Sequence, residues 1–209
     1  VDCETCFFEN RAFVLPGRIR DRIAFLQDWD LIRLNKRLLE KAEEFKPQIY
    51  LEAGGWNILP DTIEKLKTMG IKTALWTIDP PHTFKAIITA SHHYDFVFCQ
   101  GTEAIQILSE YNVKNLHWLP FACDPYFHKS VELAPSERKK YGTEICFVGS
   151  WNPASNLQNY AKRQAALECL TDCDLGIWGP GWNNLPVESS LKKFVRGLHT
   201  KPEEWVKIY

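Results

Sequence analysis

The stretch Tyr141–Trp151, YGTEICFVGSW, decides how this 209-residue chain is read. The apolar residues Ile145, Cys146, Phe147 and Val148 run into Gly149-Ser150, and a polar segment with helix-like spacing follows. An apolar strand, a glycine turn and a helix are how an α/β domain opens. Here that opening arrives after two-thirds of the chain. The sequence therefore predicts two domains, with the second beginning at this strand.

The residues before it alternate in the same way. In LIRLNKRLLEKAEEF, Leu31, Leu34, Leu38, Ala42 and Phe45 fall at spacings of three and four, one face of an amphipathic helix. PQIYLEAGG is a short strand stopped by two glycines. PDTIEKLKTMG is a helix closed by Gly70. IKTALWTIDPP and YDFVFCQG are strands, with a helix in HTFKAIITASHH between them. TEAIQILSEYN is a helix with Thr102 as its N-cap, and VKNLHWLPF is a strand. Strands thus recur near Ile49, Thr73, Phe96 and Leu116, roughly every 22 residues, the repeat of right-handed βαβ crossovers in a parallel sheet. Their apolar runs lack clean alternation, as expected when both sheet faces are covered.

The expectation is a pair of doubly wound, Rossmann-like α/β domains. Residues 1–125 form the first, 126–143 a polar, proline-bearing linker, and 144–209 the start of the second. The second shows two strands, EICFVGS and DLGIWGPGW, with helices in NLQNYAKRQAALECLT and LKKFVRGL. A Thr200–Glu203 capping box starts a last helix. Two strands are too few for a stable sheet. VDCETCFFEN reads as a strand with no βα unit before it. The 209 residues are accordingly expected to be an internal piece of a longer two-domain protein.

Composition narrows the function. Lys and Arg number 25 against 26 Asp and Glu, a net charge of −1, which argues against a nucleic-acid backbone as the partner. No apolar run approaches the roughly 18 residues that span a bilayer, and no secretory segment opens the chain. Of seven cysteines, Cys99 and Cys146 lie in apolar runs. Cys3 and Cys6 form a CxxC without the second pair a zinc site needs. Buried reduced thiols, no metal and a cytoplasmic location are the expectation.

Ligands of open parallel sheets sit at the carboxyl ends of the strands. That rule selects Gly54-Gly55-Trp56, Asp79-Pro80-Pro81-His82, Gln100-Gly101-Thr102-Glu103, Gly149-Ser150-Trp151-Asn152 and Gly179-Pro180-Gly181-Trp182. A glycine turn either lets backbone N–H groups approach a phosphate or is simply tight. Two such turns on consecutive strands of the second domain favour a phosphate-bearing ligand. Arg163, in the helix after Gly149, either pairs with a diphosphate or faces solvent. Asp79, fixed by two prolines and near His82, either acts as an acid–base group toward a hydroxyl-rich substrate or caps a turn. Glu103 fits the dipole of a first helical turn. Trp56, Trp151 and Trp182 either stack on a sugar or base or pack the core, and core packing is expected for Trp76 and Trp118. The absence of a GxGxxG fingerprint disfavours a nicotinamide-dependent dehydrogenase.

KPQIYLEAGGWNILPDTIEKLKTMGIKTALWTIDPP, YDFVFCQGTEAIQILSEYNVKNLHWLPFACDP, EICFVGS and LGIWGPGW together resemble the spore-maturation CgeB-type family of glycosyltransferase-like proteins, from about Arg11 to Tyr209. The resemblance implies two Rossmann-like domains of GT-B type, the first handling an acceptor and the second a nucleotide-diphosphate sugar. FVGSWNP matches the turn that opens the donor domain, Arg163 a basic position in the next helix, and IWGPGW the second donor turn. In LPFACDPYFHK, Ala122-Cys123-Asp124 replaces the Gly-Val-Asp of related transferases. Joined to the residues at the strand ends, this makes the expected set Asp79 as catalytic acid or base, with Gly54, Gly55, His82, Gly149, Ser150, Asn152, Arg163, Gly179 and Gly181 binding substrate. The architecture needs no metal or further cofactor. The donor half's base and sugar contacts are expected beyond Tyr209. The competing expectation is a non-catalytic binding or assembly protein that retains the fold.

Overall fold

The computed structural model describes residues 24–55, 57–81, 85–152, 159–198 and 201–208. The expected strand in VDCETCFFEN with Cys3 and Cys6, together with Trp56, His82 and Thr200, lies outside them. The chain divides into two units, Val1–Phe121 and Ala122–Tyr209.

In unit 1, helix α1 (Ala24–Phe45) buries Leu34, Leu38 and Ala42, the centre of the stripe its spacing predicts. Asn35 interrupts that stripe and is itself buried. Its amide donates to the carbonyls of Leu31 and Asn57 and its oxygen accepts from Leu59 N–H at 2.9 Å. A buried amide satisfied in this way ties α1 to the loop that leads into the next helix.

Strands β1 (Ile49–Ala53), β2 (Lys72–Thr77), β3 (Phe96–Cys99) and β4 (Leu116–Trp118) form a parallel sheet in chain order, joined by α2 (Pro60–Thr68), α3 (Lys85–Ser91) and α4 (Thr102–Glu110). Right-handed crossovers without a reversal of strand order place these helices on one face. The core agrees: Leu38 and Ala42 of α1, Ile63 and Leu66 of α2, and Ala104 and Leu108 of α4 meet Leu75, Val97 and Cys99, with Ile88 and Ala90 of α3 packed against them. On the opposite face Ile49 is 64% exposed, Leu51 59% and Phe96 39%. The described strands thus form one wing of a wound sheet. Among the described residues the helices lie over one face of it; an apolar run shows that a strand is apolar, not which elements lie over it.

Gly70 closes α2 with φ +80°, as expected of a glycine after a helix end. The N-cap of α4 is Gly101 rather than Thr102: Ala104 N–H bonds to Gly101 O at 3.2 Å, so Thr102 is already the first helical residue.

Unit 2 contains α5 (Pro135–Tyr141), β5 (Ile145–Val148), α6 (Asn159–Glu168), β6 (Leu175–Trp178), β7 (Val195–Gly197) and α7 (Pro202–Ile208). Its parallel sheet runs β5-β6-β7. The third strand corrects the two-strand expectation. LKKFVRGL has helical spacing, but Ser190–Phe194 forms a 3-10 turn and Val195–Gly197 pairs with β6. The open edge of β6 takes up the extended segment, while Leu191 remains buried. Trp151, Leu167, Leu175, Ile177, Trp182, Leu185 and Leu191 make the core. Within the segment expected as a linker, α5 brings Tyr141 into a second cluster with Trp178 and Ile208. α/β architecture with parallel sheets interleaved by helices is common to both units.

The cysteines differ from one another. Cys99 is buried, and burial pushes its thiol up despite the neighbouring Thr77 hydroxyl. Cys146 and Cys173 are half-buried, whereas Cys123 and Cys169 are exposed, contrary to a uniformly buried set.

Candidate functional site

At the carboxyl ends of β5 and β6 the two glycine turns are fastened to each other. Gly149 N–H bonds to Trp178 O and Trp151 N–H to Pro180 O, both at 2.9 Å. The Trp182 indole N–H donates to Gly149 O at 2.7 Å. Gly179 has φ +137° and Gly181 φ +92°. A Cβ on Gly179 would lie 2.2 Å from Gly149 O, and one on Gly181 1.8 Å from Trp151 O. The glycines therefore leave room for the neighbouring turn. The Gly149 and Trp151 N–H groups are engaged there as well, so they are not among the donors offered outward.

Trp151 and Trp182 are buried and stack on each other, centroids 6.0 Å apart at 26°. Of the two alternatives for these rings, core packing is the one realised. Trp76 is half-buried against Phe121, and Trp118 is exposed rather than core.

Arg163 comes to the first turn. Its guanidinium donates to Ser150 O and lies over the rings of Tyr160 and Phe147, at 5.1 and 5.5 Å. Two aromatic faces hold a cation without neutralising it. The Ser150 hydroxyl is 3.4 Å from the Tyr160 hydroxyl. A guanidinium has five N–H donors, so the group anchored on Ser150 O retains others. One half-buried cation flanked by two hydroxyls can receive an anionic oxygen. Asn152, two residues on, is exposed.

In unit 1 the Gly54–Gly55 turn follows β1, both glycines buried with φ +123° and +104°. Gly54 N–H bonds to Trp76 O at 3.0 Å, and Gly55 N–H to Glu52 Oε1 at 3.2 Å. The Tyr94 hydroxyl donates to Glu52 Oε2. Burial pushes the Glu52 carboxyl above the usual carboxylate range, against the lowering effect of these two bonds. Asp79 is half-buried beyond the end of β2 and makes no hydrogen bond or ion pair among the described residues; Glu103 sits in the first turn of α4. Asp124 accepts from Tyr126 N–H at 2.8 Å and shapes its own turn.

The predicted residues thus assemble in two places: Gly149, Ser150, Arg163, Gly179 and Gly181 in unit 2, and Gly54 and Gly55 in unit 1. Tyr160 and Glu52 escaped the sequence reading. The signal for Glu52 was present, an acid inside an apolar strand two residues before a glycine pair. A cavity of about 560 Å³ in unit 2, lined by Leu133, Tyr141, Thr143 and Ile208, lies at the amino end of β5, away from these turns. Among the described residues no cluster of His, Cys, Asp or Glu is placed to hold a metal ion. No helix among them is long and apolar enough to cross a membrane.

No family model matches the sequence, and no curated protein matches it. Among solved structures, one described as a UDP-N-acetylglucosamine 2-epimerase from Listeria monocytogenes is similar, with 11% identity and a TM-score of 0.47. The match covers 84% of this chain and 54% of that one, so the chain spans about half the length of that structure. A likeness this slight carries no argument about activity or ligand.

Proposed function

We propose that the chain belongs to a GT-B-type glycosyltransferase of the CgeB-type kind, moving a sugar from a nucleotide-diphosphate donor to a glycan, protein or small-molecule acceptor. Unit 2 takes the donor diphosphate at the Gly149–Asn152 turn, and unit 1 takes the acceptor at its carboxyl edge. The observation that carries this reading is the Arg163 guanidinium, anchored on Ser150 O between two aromatic rings beside the Ser150 and Tyr160 hydroxyls. Charge developing on a leaving diphosphate is stabilised best by donors fixed in advance, and Arg163 is fixed. Asp79 serves as the acceptor-side acid or base, and no metal is needed in this scheme.

One observation favours a second reading, a binding or assembly protein without turnover. The N–H groups of Gly149 and Trp151 already bond to the neighbouring strand end and turn, which reduces the backbone donors left for a transition state. Calorimetry with UDP-, GDP- and TDP-linked sugars tests both. Binding of one donor, weakened about tenfold or more by Arg163→Ala through loss of a charge-assisted bond, supports the donor site. Binding without sugar transfer to any acceptor supports the second reading, and no binding to any donor removes the first.

A further inference from the structure

Glu52 has no part in the reading above, yet it is a buried acid held on both of its oxygens. It is 3% exposed, on the sheet face that carries the helices. An ionisable group in such a place is costly unless its oxygens are bonded, and both of these are. Oε1 accepts from Gly55 N–H and Oε2 from the Tyr94 hydroxyl. The turn it holds requires support. Gly54 and Gly55 both have positive φ, and a Cβ on Gly55 would stand 3.0 Å from Leu75 Cδ1. Gly54 is secured across the sheet by Trp76 O. The Gly55 amide is secured by Glu52.

We propose that Glu52 is a positioning residue, a proton-linked clamp that holds the Gly54–Gly55 turn at the carboxyl edge of the unit 1 sheet, with Tyr94 as its adaptable partner. The chemistry of the pair allows two states. When the carboxylate is ionised, Tyr94 donates to Oε2 and both bonds are charge-assisted. When Oε2 carries a proton, that O–H donates to the phenol oxygen, and Oε1 still accepts from Gly55. The turn is held in both states and more tightly in the ionised one. The titratable group on the carboxyl is Tyr94, from the segment before β3, and Tyr50 of β1 acts electrostatically on Tyr94. The core residues that α1, α2 and α4 contribute to the cluster containing Tyr94, among them Leu38, Ile63 and Leu108, are apolar. Burial raises the carboxyl, while the Tyr94 bond lowers it. The clamp needs no ligand, so it stands whether or not unit 1 takes an acceptor.

The test follows the Gly55 amide by NMR as pH is varied. In the unaltered protein its resonance moves through one step whose midpoint lies above the usual carboxylate range. Glu52→Gln keeps an acceptor, so the amide stays protected from hydrogen exchange and the step disappears. Tyr94→Phe removes a donor to the ionised carboxylate, so the midpoint moves further up. Glu52→Ala strips protection from Gly55; where that variant fails to fold, the Gln and Phe variants decide. A Gly55 amide that does not titrate, or that titrates unchanged in Glu52→Gln, overturns the proposal.

Discussion

The two units solve the same local problem by different means. Each ends its first described strand in a buried or half-buried turn containing glycine. In unit 2 the turn is held by backbone and indole: Gly149, Trp151, Pro180 and Trp182 bond to one another or to β6, and none of those groups titrates. In unit 1 the corresponding turn keeps one such backbone bond, Gly54 N–H to Trp76 O, but its second glycine is held by a side-chain carboxyl that a phenol bonds in turn. A glycine at a strand end can thus answer to a neighbouring loop or to an acid beneath it. Only the second arrangement responds to protons.

Gly181→Ala strikes the unit 2 arrangement hardest. A Cβ there would overlap Trp151 O in a backbone that already has φ +92°. Neither loop can retreat without losing the Trp151–Pro180 bond. The expected loss is on the order of 4 kcal/mol, read as a lower midpoint in urea unfolding followed by tryptophan fluorescence. Gly55→Ala is milder. Its Cβ meets only the end of the flexible Leu75 side chain, so strain dominates and the loss is about 1–2 kcal/mol. Equal losses at the two positions would mean that unit 1's turn is zipped to backbone after all.

The smallest effect concerns pH, and the units should slope in opposite directions. Burial raises Glu52, so the folded state keeps its proton to higher pH than the unfolded chain. Its contribution is most favourable below the ordinary 4.5 and declines as pH rises through the raised value. In unit 2, the bonds from Tyr141 and Lys140 hold Glu204 down to about 2. Its contribution is present above 4.5 and is lost as pH falls toward 2. Thermal midpoints of the unaltered protein against Glu52→Gln and Glu204→Gln, taken across this range, read the two slopes. Slopes of the same sign would remove the contrast.

Much of the strand order was legible in the sequence, because apolar runs punctuated by Gly and Pro have few alternative readings. Ile49, Thr73, Phe96 and Leu116 each fall in the expected strand. β7 was not legible: Leu191, Phe194, Val195 and Leu198 fit a helix, and only a vacant sheet edge makes Val195–Gly197 extended. The approach of Arg163 to the Gly149 turn followed from a strand–turn–helix order. Its anchoring on Ser150 O did not, since that depends on where Phe147 and Tyr160 put their rings. Trp151 and Trp182 could have faced a ligand or each other, and local pattern does not distinguish these. Glu52 was missed although an acid inside an apolar strand is a local signal, and its partner Tyr94, 42 residues away in the chain, leaves none.

The interlocked turns of unit 2 also constrain how this fold can be altered. Since Gly179 and Gly181 leave their space to the carbonyls of Gly149 and Trp151, neither loop is free to gain or lose a residue alone. An engineer grafting a different binding loop onto this scaffold would have to move 149–152 and 179–182 together, as one cassette.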